Sequence, residues 1–245
     1  TEFQLEYGPQ GFTLGTGTRI ENITTTSYQI TGLNPLSNYE AYVRAICDVG
    51  DTSIWVNISF TTLCAEITNF PWLEDFSGST FPPSCWLRAQ GQLATNTTFT
   101  STTTSYWVAD GFANNGTTGA AKLNIWSTNR YEWLISPQIN LGNGSVNYKL
   151  EFDLALTKFG QTSPPDQNGI DDKFAVVIST DGGQTWSSAN ILRLWDNQGS
   201  SYIYNNISVH EAITVQFCNS IISIFFCCQF DKTKSSHPSS CTVLN

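Results

Sequence analysis

The residues that could do chemistry in this chain are few, and most of them are carboxylates. Glu74 with Asp75, Asp110, Glu132, Asp153, Asp166, and Asp171 with Asp172 are the acid–base candidates. A glycosidase needs two such carboxyls about 5–10 Å apart across a cleft, and none of these stands inside a known hydrolase motif. Nucleophilic catalysis is poorly supplied. Only His210 and His237 could serve as a triad base, and no G-x-S-x-G elbow occurs. The seven cysteines form no C-x-x-C pair and no Cys/His array of zinc spacing. The most specific string is STDGGQTW, Ser179 to Trp186, which satisfies S-x-D-x-G-x-T-W at every defined position.

That pattern is the Asp-box, best known from sialidases, where the boxes repeat across propeller blades and lie away from the reacting sugar. Here there is one copy and no blade-length repeat. Each residue also has a role in building a turn. Asp181 can accept from backbone N–H groups of its own turn, Gly182 and Gly183 tolerate positive φ, and Trp186 can fold over the hairpin. The expectation is a hairpin after DDKFAVVI, without catalysis.

The elements that must position these residues read as strands. Runs such as EFQLEYG, SYQITGL, NYEAYVRAICD, YWVADGF, VNYKLEFDLALT and DKFAVVIS are broken by Gly, Asn and Pro, and no stretch keeps a helical period. Of the 245 residues only 13% are charged while 13% are aromatic, a composition that suits pleated surfaces and turns. The net charge of −9 argues against nucleic acid, which needs basic grooves, and against anionic membrane surfaces. Residues 212–230 carry no charge; two buried strands account for them better than a bilayer span. The fold class expected is all-β.

Two family resemblances follow from motif order. In LNPLSNYEAYVRA, Leu33, Pro35 and Tyr39 have the spacing of a tyrosine corner. With SFTTL closing the unit, residues 1–63 resemble the later part of a fibronectin type III domain, whose first two strands are not represented. Such a half-sandwich would expose an open edge. Next, PWLEDFSGSTFPPSCW, WLISPQINL, LEFDLALT and DDKFAVVISTDGGQTW, in that order, resemble the MAM-like and cleaved-adhesin jelly rolls of large secreted surface proteins of Bacteroidetes-type bacteria. The resemblance places a second domain at 64–230. It leaves 231–245, in an end rich in cysteine, as an atypical tail expected to be disordered.

These resemblances imply a non-catalytic extracellular or cell-surface module that binds glycan or extracellular protein. The alternative is an accessory carbohydrate-binding module of a secreted hydrolase or peptidase. The related adhesin domains often carry structural calcium, a hard cation that takes oxygen donors. Asp75 in LEDF and Asp172 in GIDDKF are the first candidates, with Glu74 and Asp171 behind them. For sugar stacking, core packing is the default for Trp107, Trp126, Trp133 and Trp195, which all sit in strand-like context, and Trp86 and Trp133 match core positions of the family. Trp195 and Tyr202, flanking DNQGSS, are the candidate ligand-binding residues. A Cys64–Cys85 disulfide would staple the start of the jelly roll, with Cys47–Cys64 the other possibility.

Overall fold

The computed structural model describes residues 2–48, 50–95, 97–124, 130–143, 146–164, 173–195, 208–215, 221–230 and 239–244. The chain divides into two compact units, 1–65 and 66–245. Both are built from antiparallel strands, so the fold is all-β.

Unit one is a single sheet of β1 (Glu2–Pro9), β2 (Thr18–Ile23), β3 (Asn38–Asp48), β4 (Asp51–Thr52) and β5 (Val56–Thr61). Its order is β2-β1-β3, with β4 and β5 both pairing the far side of β3. The two-residue period puts Leu5, Ile23 and Ala41 on one face, packed by Phe3, Tyr7, Ile20, Ile30 and Phe60. Glu6 and Glu40 are buried polar residues on the other face. Glu6 accepts from the N–H groups of Gly15 (2.6 Å) and Gly17 (2.9 Å) and pairs with Arg19 at 2.6 Å. Glu40 accepts from the Gly11 N–H (3.2 Å), the Tyr42 hydroxyl (3.0 Å) and the Asn57 amide. Together they tie down the β1–β2 loop, which is why two carboxylates can be buried there.

The tyrosine corner forms, with the Asn34 N–H donating to the Tyr39 hydroxyl oxygen at 3.1 Å. SYQITGL, expected as a strand, is not one: among the described residues it has no ladder partner, although Ile30 still packs on the sheet. Val56 and Ile58 of β5 remain 61% and 66% exposed, so this sheet keeps an open apolar surface at one edge.

Unit two is a two-sheet sandwich. Its strands are β6 (Leu87–Gln90), β7 (Trp107–Asp110), β8 (Ala120–Asn124), β9 (Arg130–Ile135), β10 (Ile139–Asn140), β11 (Tyr148–Lys158), β12 (Lys173–Ser179), β13 (Ile191–Trp195), β14 (Ser208–Val215), β15 (Ile221–Phe230) and β16 (Ser239–Leu244). One sheet has the order β13-β12-β15-β9-β6, with β10 also on β15; the other is β14-β11-β16-β8-β7. Between them lies a core that includes Phe76, Trp86, Trp107, Leu123, Leu134, Phe152, Leu154, Phe174, Val176, Ile178 and Trp195. β12 is buried from Phe174 to Ser179 without a break. Its outer face meets a second cluster around Trp133, Val177 and Trp186, and an unbroken apolar run is what burial on both faces requires.

Residues 212–230 supply the end of β14 and all of β15, and among the described residues no helix is long and apolar enough to cross a membrane. The tail expected to be disordered contributes β16, which pairs with both β11 and β8 in the middle of a sheet. The unpaired groups of two neighbouring strands are satisfied by whatever strand lies between them, and a polar sequence such as SSCTVL can do it.

Candidate functional site

The Asp-box was the strongest chemical signal, and its geometry is that of a turn. It follows β12 and leads through a short 3-10 turn, Ser188–Asn190, into β13, which pairs back on β12 from Phe174↔Trp195 to Val177↔Ile191. Asp181 Oδ1 accepts from the Ser179 hydroxyl (2.6 Å) and from the N–H groups of Gln184 (3.1 Å) and Thr185 (2.9 Å). Its Oδ2 accepts from the Thr185 hydroxyl at 2.5 Å. Burial alone would push the Asp181 pKa up. The hydrogen bonds from Ser179, Thr185 and Gln184 outweigh it and hold the carboxyl below the usual aspartate range. Gly182 and Gly183 take φ of 70° and 86°, the left-handed region this turn demands. Trp186 is 1% exposed, and its N–H donates to the Gly183 carbonyl at 3.2 Å. Trp186 and Thr97 also exchange backbone hydrogen bonds (2.7 and 2.8 Å), which fastens Thr97 beside the outer cluster that Leu93 and Phe99 pack against. Both carboxylate oxygens serve the turn.

Trp195 is corrected by the structure. It is 5% exposed and sits in the sandwich core, with its ring 6.1 Å from Phe152 and 5.3 Å from Phe174. A ring packed on that side cannot offer a face to a sugar. Tyr202, the other stacking candidate, and Trp126 lie outside the described residues. Trp86, Trp107 and Trp133 are all buried, as expected of core positions.

A concave aromatic surface lies elsewhere among the described residues, in a groove of about 660 Å³ between the segment Phe70–Leu73 and the start of β11. Trp86, buried beneath, stacks on Trp72 at 6.2 Å and so holds this segment against the sandwich. Phe70, 38% exposed, then meets Tyr148 with ring centroids 4.7 Å apart. Ile139, Leu141 and Ile224 form the floor, and Asn147, Lys149 and Glu151 supply polar groups. Apolar walls with a few polar groups are the usual make-up of a binding cleft of this size. In NFPWLEDF a proline and three aromatic residues punctuate the start of this segment. The pairing of Phe70 with Tyr148 is a tertiary contact, and its only sequence signal was that punctuation.

Beside the groove, the outward side chains of β11 and β14 form a charged ladder. Lys149 Nζ lies 3.1 Å from Glu151, and His210 lies 2.9 Å from Asp153 and 3.8 Å from Glu151. The hydrogen bond with Asp153 raises the His210 pKa, with the charge of Glu151 adding to it, while the Lys149 amine lowers that of Glu151. His210 faces carboxylates through both ring nitrogens. That arrangement makes an ion-pair ladder rather than a nucleophile–base pair, which would set the imidazole against a hydroxyl or thiol.

Glu74 and Asp75 lie just before Phe76, each closing a local turn. Glu74 Oε1 accepts from the Phe76 N–H and Asp75 Oδ1 from the Ser77 N–H, both at 2.9 Å. The Ser77 bonds hold the Asp75 pKa low, so it is ionised at neutral pH. Asp171 and Asp172 lie outside the described residues, and among those described no group of three or more His, Cys, Asp or Glu is placed to hold a metal. Two adjacent carboxylates fall short of the six to eight oxygens calcium takes. Cys64 and Cys85 are disulfide-bonded, while Cys47 is a free, exposed thiol, which removes the Cys47–Cys64 pairing.

No family model matches the chain, and no curated protein sequence matches it. Among solved structures it is similar to the K1 cleaved adhesin domain of Lys-gingipain from Porphyromonas gingivalis W83, at 14% identity and a TM-score of 0.41, covering 70% of this chain and 95% of that one. For the K2 cleaved adhesin domain of Lys-gingipain the values are 15% and 0.38, covering 71% and 97%. It is also similar to the C-terminal CBM6 of LamC, a marine laminarinase from Zobellia galactanivorans, at 12% and 0.29, covering 65% and 99%.

Proposed function

We propose that the chain is a non-catalytic binding module of an extracellular or cell-surface protein, taking glycan or extracellular protein in the Phe70–Tyr148 groove. In this reading unit one is the later part of a fibronectin type III domain, supported by the Asn34–Tyr39 corner, and unit two is a MAM-like, adhesin-type jelly roll. The observation that carries the function is the groove: the part-exposed aromatic face of Phe70 against Tyr148, with Asn147, Lys149 and Glu151 among the residues that line it. Sugar rings stack on such faces while their hydroxyls need polar partners at the edge. The occupied carboxylate of Asp181 speaks against a glycosidase built on the Asp-box. A role as accessory carbohydrate-binding module of a secreted hydrolase or peptidase would use the same groove.

Glycan-array screening followed by calorimetry on the best ligand tests this. Phe70→Ala should weaken binding about tenfold or more with little change in stability, and Lys149→Ala should also weaken it. If no glycan binds and no extracellular protein is retained by the intact chain, the reading fails. Calcium belongs to the proposal through Glu74, Asp75, Asp171 and Asp172 together. It predicts a lower melting temperature in EDTA that added calcium restores, and an unchanged melt would remove the metal.

A further inference from the structure

We propose that Lys122 and Asn114 become joined by an intramolecular isopeptide bond, with Asp110 as the group that moves the protons. The site lies on the outer face of the β14-β11-β16-β8-β7 sheet, away from the groove. Asp110 is opposite Ala120 in the β7–β8 ladder and Lys122 is opposite Val108, so the two are diagonal neighbours on one face. Inner-face positions alternate with them: Trp107, Ala121 and Leu123 point into the sandwich core.

The backbone brings an amide to this pair. After β7 the chain winds through a one-turn 3-10 segment, Phe112–Asn114, in which Ala113 and Asn114 both take left-handed φ, 53° and 62°. Conformations of this kind cost energy in non-glycine residues and persist where the surroundings impose them. Gly111 makes the winding possible, since a Cβ there would lie 1.7 Å from the Asn115 carbonyl oxygen.

Asn114 is then fixed at both ends of its amide. Its Oδ1 accepts from Lys122 Nζ at 3.0 Å. Its Nδ2 donates to the Thr157 hydroxyl at 2.7 Å and the Gln161 carbonyl at 2.5 Å, with the Lys158 carbonyl at 3.4 Å. The carbonyl therefore faces the amine, and the nitrogen that must leave faces away. Asp110 pairs with Lys122 through Oδ2 and accepts the Gly111 N–H on Oδ1 at 2.8 Å. The Lys122 and Asp110 side chains are only 14% and 22% exposed, and the Phe159 ring lies 5.9 Å from Nζ. An amine, an acyl carbon and a carboxylate held together and partly shielded from water are the components of an amide exchange.

The step balances without any other reagent. The Lys122 ammonium gives a proton to the Asp110 carboxylate, and the free amine attacks Asn114 Cγ. The new Nζ–Cγ bond forms before Cγ–Nδ2 breaks. Nζ sheds two protons in all. Once both nitrogens sit on Cγ, Asp110 passes both protons to the leaving one, which departs as ammonium and leaves Asp110 a carboxylate again. The covalent mass falls by one ammonia. The product ties β8 covalently to the turn that Thr157 holds against β11, a useful reinforcement for a module pulled through its termini.

Asn114 and Lys122 fall within one tryptic peptide, 89–122, and an acylated Lys122 blocks cleavage there. Peptide mass spectrometry of the purified full chain should show 89–130 as the main form, short by one ammonia, with fragment ions linking Lys122 to Asn114. Asp110→Ala should restore cleavage after Lys122 and the unmodified mass; should that variant not fold, the wild-type peptide decides alone. Three results overturn the proposal. They are an unmodified Lys122, a loss of water joining Lys122 to Asp110, and a loss of ammonia with cleavage after Lys122 intact, which would be a succinimide at Asn115–Gly116.

Discussion

At the scale of single residues, the side chains that looked chemical are engaged by their own surroundings. Asp181 holds four donors from Ser179, Gln184 and Thr185, so its removal leaves a turn unsatisfied. Asp181→Ala should cost about 1–3 kcal/mol in denaturant unfolding and change no hydrolytic activity. His210 offers a cleaner reading of its neighbours, since the chain has only two histidines. Asp153 and Glu151 raise its pKa above the ordinary 6.5. A raised histidine contributes stability fully below the unfolded value and loses it as pH rises through the folded one. An NMR titration should therefore find the His210 midpoint above 6.5, and Asp153→Asn should lower it. A midpoint at or below the ordinary value would show that the ladder does not hold in solution.

At the scale of elements, the strand periods were legible because burial follows them locally. VNYKLEFDLALT became β11, and Tyr148, Leu150 and Phe152 turn inward while Lys149, Glu151 and Asp153 turn out. KFAVVIS became β12, buried from Phe174 to Ser179. Trp195 was misjudged because the end of a strand beside a polar loop reads the same whether its ring turns in or out. The partners that decide it, Phe152 and Phe174, come from two other strands. Trp195→Ala should cost about 3–5 kcal/mol, seen as a large shift of the unfolding midpoint. A variant that unfolds like the parent but loses glycan binding would return Trp195 to the surface. SYQITGL failed for a related reason, since alternation marks a sheet face but supplies no ladder partner.

At the scale of the whole molecule, the chain is two all-β units, and its cysteines offer a covalent test of pairing. With Cys64 and Cys85 disulfide-bonded and Cys47 free, a non-reducing peptide map should recover the Cys64 and Cys85 peptides joined, with Cys47 alkylated. A closed loop of about 20 residues is worth about 3 kcal/mol, so reduction should lower the melting temperature. A map that joins either cysteine to the C-terminal group instead would require a different pairing scheme.

What the sequence determined by itself was whatever short range suffices to build: the all-β class, the strand periods, the Asn34–Tyr39 corner, and the Asp-box turn whose parts all lie between Ser179 and Trp186. What only the tertiary structure decided was which side chains from distant segments share a place. Phe70 meets Tyr148, Asn114 meets Lys122 and Thr157, and the SSCTVL stretch enters a sheet between β11 and β8. Local hydrogen bonds and side-chain alternation act over a few residues, and a string can show them. Packing and ladder pairing join residues far apart along the chain, and those partners exist only once the sheets have closed on one another.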